Sequence, residues 1–247
     1  CEGSNQEVRL WGLPLEIKND FSVTATSQFV ADKEDLTIGG NFSCDGTFEA
    51  LENTTTFSGV TQQISGSSTQ MRFHNLLVKS ANSLVYQVPL AAEILGNLVI
   101  EKSGTIRDLL DLGTAIWKLR GNIINHGGYK TQGNGSLQLV GATRPTLTGN
   151  GYYGSISVKT PSGAQANNDI HLRGELMLES GNFWLDRYLL HVYRGGRIDQ
   201  MGSEHYVVTA GSFISKGIKQ ELAQGDKQVL FPLGIEKVNK IDRVLAR

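Results

Sequence analysis

The residues able to do chemistry are few and scattered. Five histidines, His74, His126, His171, His191 and His205, occur without an H-x-x-x-H or H-E-x-x-H spacing, so none of the short zinc motifs is present. Asp169 and His171 are two residues apart. On a strand that spacing puts both on one face, where a carboxylate can orient an imidazole base or share a metal, although such pairs are more often merely solvated. Glu175, Glu179, Asp186 and Arg187 are the groups best suited to polysaccharide cleavage, which works through acidic and basic side chains held together. Trp184, Tyr152 and Tyr153 are the aromatics on which a sugar ring could stack, with core packing the plainer expectation for all three. No G-x-S-x-G nucleophile motif is present, Gly151-Tyr-Tyr-Gly154 and Gly195-Gly196 lack the lysine of a phosphate loop, and no calcium loop of the D-x-D-x-D-G type occurs. The sequence therefore assigns no catalytic, cofactor-binding or metal-ligating residue, and the chain reads as a non-enzyme.

Charge narrows the partners. Lys and Arg number 23 against 24 Asp and Glu, a net charge of -1, which leaves no basic field for nucleic acid. The most apolar stretch, Leu84 to Ile100, carries Gln87, Pro89, Glu93 and Asn97, polar groups too costly in hydrocarbon for a spanning helix. Cys1 and Cys44 are too few for a disulfide framework. One bridge between them can form in an oxidising compartment, and the alternative is a lipidated Cys1 on a Glu-Gly-Ser-Asn tether. Asn41, Asn53 and Asn134 fit N-x-[ST], a spacing frequent by chance.

The elements that must position these groups are short strands. Glycine is plentiful (29) and proline scarce (5), the composition of a chain that turns often. A long recurrence runs through it: Leu36-Thr-Ile-Gly-Gly-Asn-Phe42 matches Trp117-Lys-Leu-Arg-Gly-Asn-Ile123, Thr56 to Val60 matches Gln138 to Ala142, Leu76 to Ser80 matches Ile156 to Thr160, and Ile94 to Ile100 matches Leu172 to Leu178. The offset stays between about 77 and 83 residues. Four strand and turn groups in each copy imply a coil of roughly 20 residues, the length of one turn of a β-solenoid. The expected fold is all-β, a right-handed parallel β-helix of about twelve coils. Leu98, Ile100, Leu176 and Leu178 should face inward, with Gly40-Asn41, Gly96-Asn97 and Gly121-Asn122 as natural corners, where glycine and asparagine tolerate left-handed backbone.

An antiparallel β-sandwich is the alternative, since Asp45-Gly46, Asn134-Gly135 and Asn150-Gly151 are hairpin dipeptides. Ile106 to Leu119 is expected as strands rather than helix, Asp32 to Asp35 as a polar loop, and Val238 to Arg247 as a strand or helix start. One elongated domain spans 1–247: a lead-in or cap over 1–35, repeats at 36–115 and 116–192, and terminal coils over 193–247, the whole reading as a piece of a longer chain.

Thr56-Phe-Ser-Gly59, Gln63-Ile-Ser-Gly66 and Phe73-His-Asn-Leu-Leu-Val78 together resemble the T-F-x-G, Q-x-I-x-G and F-x-N-L-x-V pattern of very large surface proteins of Bacteroidetes-type bacteria. Leu95 to Ile100, Ser103-Gly104, Ser180-Gly-Asn-Phe183, Leu185, Leu189-Leu-His-Val192 and the closing Phe231-Pro-Leu-Gly234 are similar to later units of those arrays. The resemblance spans roughly Leu36 to Gly234, and Ala91 to Glu93, Arg173 and Arg187 depart from it. It implies a secreted or cell-surface β-helical module, exported by the type 9 route and used in adhesion, gliding or scaffolding. Its partners would be other domains of the same chain, cell-envelope proteins or surface glycans, and it carries no catalytic residues to transfer.

Overall fold

The computed structural model describes residues 6–87, 92–106, 108–200, 204–210, 215–222, 231–237 and 240–246. The chain is all-β and winds as a parallel β-solenoid of about nine turns with about 21 residues each. Each turn contributes one short strand to each of three faces. The first face is a ten-stranded sheet beginning at Gln6–Leu10, and the second a twelve-stranded sheet beginning at Leu15–Ile17. The third consists of a six-stranded sheet continued by a four-stranded one. Ten rungs at about 4.8 Å give a rod roughly 43 Å long, shorter than twelve coils would be.

The alternation that period-two sequence demands sets the core. Leu36–Ile38 and Leu98–Ile100 bury their first and third residues, and Leu176 and Leu178 are likewise inward. Because pairing is parallel and in register, like stacks on like: Leu15, Leu36, Thr55, Leu76, Leu98, Ile123, Leu147 and Ala166 form one inward column on the second face. The buried Gln62 enters the core fully satisfied. Its side chain accepts from the Gly59 N–H (2.7 Å) and Ser80 Oγ (2.9 Å) and donates to the Ile38 carbonyl (2.9 Å).

The sandwich alternative is excluded, since among the described residues the one antiparallel pairing is that of Phe231–Lys237 with Lys240–Ala246. Asp45-Gly46 and Asn134-Gly135 lead from the third face to the first face of the next turn, and Asn150-Gly151 from the second face to the third, instead of closing hairpins. Ile106 to Leu119 carries strands at Leu110–Asp111 and Ile116–Leu119, and Asp32 to Asp35 is a loop.

Two expectations need correction. Gly40, Gly96 and Gly121 do not occupy positive φ. They are required by close stacking: a Cβ on Gly121 would stand 2.3 Å from the Gly96 carbonyl oxygen. Their asparagine neighbours bind the next turn. Asn41 Oδ1 accepts from the Gln63 N–H at 3.0 Å, and Asn97 Oδ1 from the Asn122 N–H and Asn122 Oδ1 from the Thr146 N–H, each at 2.9 Å. The second correction concerns the long recurrence, which joins Leu36–Ile38 on the second face to Ile116–Leu119 on the first, and Leu98–Ile100 to Glu175–Leu178 in the same way. In every matched pair the strands are eleven apart, and with three per turn the recurrence is not a whole number of turns.

Candidate binding surface

On the third face of the later turns, alternation and register build a surface that neither achieves alone. Tyr153, Leu172 and Val192 point inward and are buried, so Tyr152, His171 and His191 must point outward. Parallel pairing then lines up Tyr152, His171, His191 and Lys219 on successive rungs. Tyr193 folds over this column. Its ring stacks on His191 at 4.0 Å, meets Tyr152 edge-on at 5.3 Å, and its hydroxyl lies 3.2 Å from His171 Nδ1. The Arg173 guanidinium sits 3.7 Å above the Tyr152 ring and is held there by Asp108, at 2.9 Å, from a loop several turns earlier.

Ionic contacts pin the edges. His191 is nearly buried, and its Nε2–H donates to Glu221 at 2.9 Å. Asp169 faces the same side as His171 but is engaged elsewhere, by Lys216 at 2.8 Å and the Leu189 N–H at 3.0 Å. Partial burial opposes the charge on Asp169, yet those two donors outweigh it and hold the carboxyl below its ordinary range. Burial, then the neighbouring His191, lowers the affinity of His171 for a proton. Burial and the adjoining Tyr152 hydroxyl push Tyr193 up to about 12. An open recess of about 340 Å³ adjoins the cluster, with Lys102, Ile106, His126, Asn150 and Tyr152 in its wall.

The other sequence candidates are not gathered here. Glu175 pairs with Arg197 at 2.8 Å, and Glu179 with Lys159 at 3.1 Å, both beside the first face. Asp186, at φ 51, sits at a register shift on the second face, and the exposed Arg187 reaches it at 3.7 Å. His74 lies at a corner between the first two faces and His205 before the second-face strand Val207–Thr209. Among the described residues no three of His, Cys, Asp and Glu group as metal ligands.

Core packing accounts for Tyr153, which is fully buried and donates to the Thr148 carbonyl at 3.2 Å. It does not account for Tyr152 or Trp184, both of which are outward and roofed by arginine, with Arg144 3.7 Å over the Trp184 ring. Gly163, at φ 68, lies against that ring so closely that a Cβ would meet it at 2.1 Å. Asn53 is buried, whereas Asn41 and Asn134 are exposed. Cys44 is a buried thiol that desolvation pushes up to about 11, and Cys1 lies outside the described residues.

Sequence reading missed the cluster as a unit because it compared histidines over a few residues. On a solenoid the informative interval is one turn: His171 and His191 are 20 apart and directly stacked. No family model, curated protein or solved structure matches the chain. No helix among the described residues is long and apolar enough to cross a membrane.

Proposed function

We propose that this chain is a non-catalytic structural and adhesive module of a secreted or cell-surface bacterial protein, a stiff rod that spaces and displays other parts of its parent. The observation that carries the reading is the parallel ladder, continuous along the first two faces, whose outward charges are largely spent between turns. Glu49, Arg72, Glu93 and Arg120 form one such chain, with contacts of 3.0, 3.3 and 2.7 Å. Groups so committed stiffen the rod and are poorly placed for proton transfer. Surface display and type 9 export draw support from the motif resemblance of Leu36 to Gly234. Other domains of the parent, envelope proteins and surface glycans are the expected partners.

The test removes residues 116–174. That is three whole turns, from the start of the first-face strand Ile116–Leu119 to the start of Glu175–Leu178 three strands further along the same face, so the faces stay in phase. Solution scattering should show a rod shorter by roughly 14 Å, and cells carrying this form should lose adhesion or display. His171→Ala and Asp186→Ala should leave both intact. Full loss with either point variant, alongside a functional deletion, would sink the spacer reading.

A second reading, glycan binding at the Tyr152 recess, is favoured by that ring being outward and bordering a cleft with Lys102 and His126. Glycan-array binding that disappears in Tyr152→Ala would establish it.

A further inference from the structure

The corner between the second and third faces changes shape along the middle of the rod. After Leu98–Ile100 the chain crosses it by a long excursion over 101–109, whereas the next two turns cross it through 126–128 and 149–151 alone. Glycine permits those short crossings. A Cβ on Gly127 would stand 2.3 Å from the Glu101 carbonyl oxygen, and one on Gly151 2.5 Å from Asn125 Oδ1. The third-face ladder is also interrupted here, since Tyr129–Lys130 ends the six-stranded sheet and Tyr152–Tyr153 begins the four-stranded one. The buried Asn125 spans the break: its Oδ1 accepts from the Gly128 N–H at 2.7 Å, and its Nδ2 donates to the Tyr152 carbonyl at 3.0 Å. A long loop beside two short ones leaves between them the recess of about 340 Å³.

The wall of that recess is polar in one sense only. Lys102, Thr105, His126 and Asn150 line it, and among the described residues no carboxylate does. The carboxylates nearest in sequence to Lys102 and Thr105 pair elsewhere, Glu101 with Lys79 at 3.9 Å and Asp108 with Arg173 at 2.9 Å. Lys102 is exposed and forms no ion pair among the described residues, and the side chains of Thr105, His126 and Asn150 form no hydrogen bond there. Along the first face, by contrast, outward charges meet an opposite charge on the next turn. An unpaired ammonium beside an uncommitted hydroxyl, imidazole and amide is a set of groups that lacks an anionic, hydroxyl-rich partner.

We propose that the recess binds an acidic sugar of a surface glycan, a ring bearing a carboxylate or a sulfate. This rests on glycan binding at the recess, the second reading given above, and narrows it to one sugar class. Lys102 and the His126 imidazole hold the anionic group by charge-assisted and ring N–H hydrogen bonds. Thr105 and Asn150, which both donate and accept, match the ring hydroxyls, and Ile106 offers apolar surface to the C–H face of the ring. An acidic peptide fits less well, because an extended peptide is held by its backbone along an unpaired strand. The second-face strands bordering the recess, Leu98–Ile100, Ile123–Asn125 and Thr146–Thr148, are each paired on both sides, and Asn125 engages backbone at the third-face break.

Titration calorimetry of the full chain with oligogalacturonate, dextran sulfate and uncharged dextran provides the test. At least one charged probe should bind, and which one does so distinguishes carboxylate from sulfate; dextran should bind at least about 10-fold more weakly. Lys102→Gln should weaken the charged probe about 10-fold or more, Lys102→Arg should restore most of it, and added salt should weaken it further. Lys102 is exposed, so neither substitution threatens the fold. Binding of neither charged probe, or charged-probe binding that both Lys102→Gln and His126→Gln leave unchanged, overturns the acidic assignment. Equal binding of all three probes also overturns it, yet if that binding disappears in Tyr152→Ala the glycan site itself stands. Polyglutamate bound as tightly as the charged glycan, and as sensitive to Lys102→Gln, would assign an acidic peptide in its place.

Discussion

The early and late turns solve the same packing problem with aromatics on opposite sides of the wall. In the early turns Phe29, Phe42, Phe48, Phe57, Phe73 and Trp117 fill the interior, with Phe29 on Phe48 at 6.0 Å and Phe73 on Trp117 at 6.4 Å. In the late turns the interior is mostly aliphatic, with Leu139, Val158 and Leu178 in one column, and Tyr152, His171, His191, Tyr193 and Trp184 stand outside. The coil geometry is indifferent to which side carries the rings. Stability therefore concentrates the aromatic contribution in the early half, and recognition chemistry is available in the late half.

Substitutions can break or sharpen that contrast. The largest effect is expected for Phe48→Ala, which empties the middle of the ring stack and should cost about 3–5 kcal/mol in denaturant unfolding. Tyr193→Ala, on the outside, should cost less than about 1.5 kcal/mol. Equal losses would mean that the outer cluster is also part of the fold's stability. Asn97→Ala comes next: it removes the acceptor for the Asn122 N–H, and a drop of about 1–2 kcal/mol is expected. Hydrogen exchange at Asn122 should rise with it.

The smallest effect is a pH dependence centred on His171. Burial and the nearby His191 lower its folded affinity for a proton, with Asp169 opposing. The unfolded chain then binds more protons, so stability is fully present above about pH 6.5 and declines as pH falls toward the folded value. Tyr152 and Tyr193 also face this ring, while Arg173 lies over Tyr152, Glu221 pairs with His191 and Lys216 with Asp169. His171→Phe should flatten the melting temperature between pH 7 and pH 5. An unchanged slope would remove His171 as its source.

How much of this was legible in the sequence follows from what each feature depends on. Inward positions such as Leu98 and Leu176 are set by local alternation, so period two locates them correctly. The coil length also emerges, because glycine and asparagine recur at corners whatever their task there. Their task itself was misjudged: the need for glycine at Gly121 comes from the Gly96 carbonyl one turn away, a contact 25 positions back in sequence. Tyr152, His171, His191 and Tyr193 were each visible, but their grouping requires the register. Arg173 over Tyr152, tethered by Asp108, spans still more of the chain and leaves no local trace.

The recurrence of eleven strands has a consequence for presentation. Eleven is one strand short of four full turns, so a motif and its copy stand about a third of a revolution apart in azimuth. Leu36–Ile38 and Ile116–Leu119 look outward in different directions, as do Leu98–Ile100 and Glu175–Leu178. A surface feature that travelled with the recurrence would wind round the rod like the thread of a screw, offering a partner lying alongside only one copy at a time while letting several partners approach from different sides.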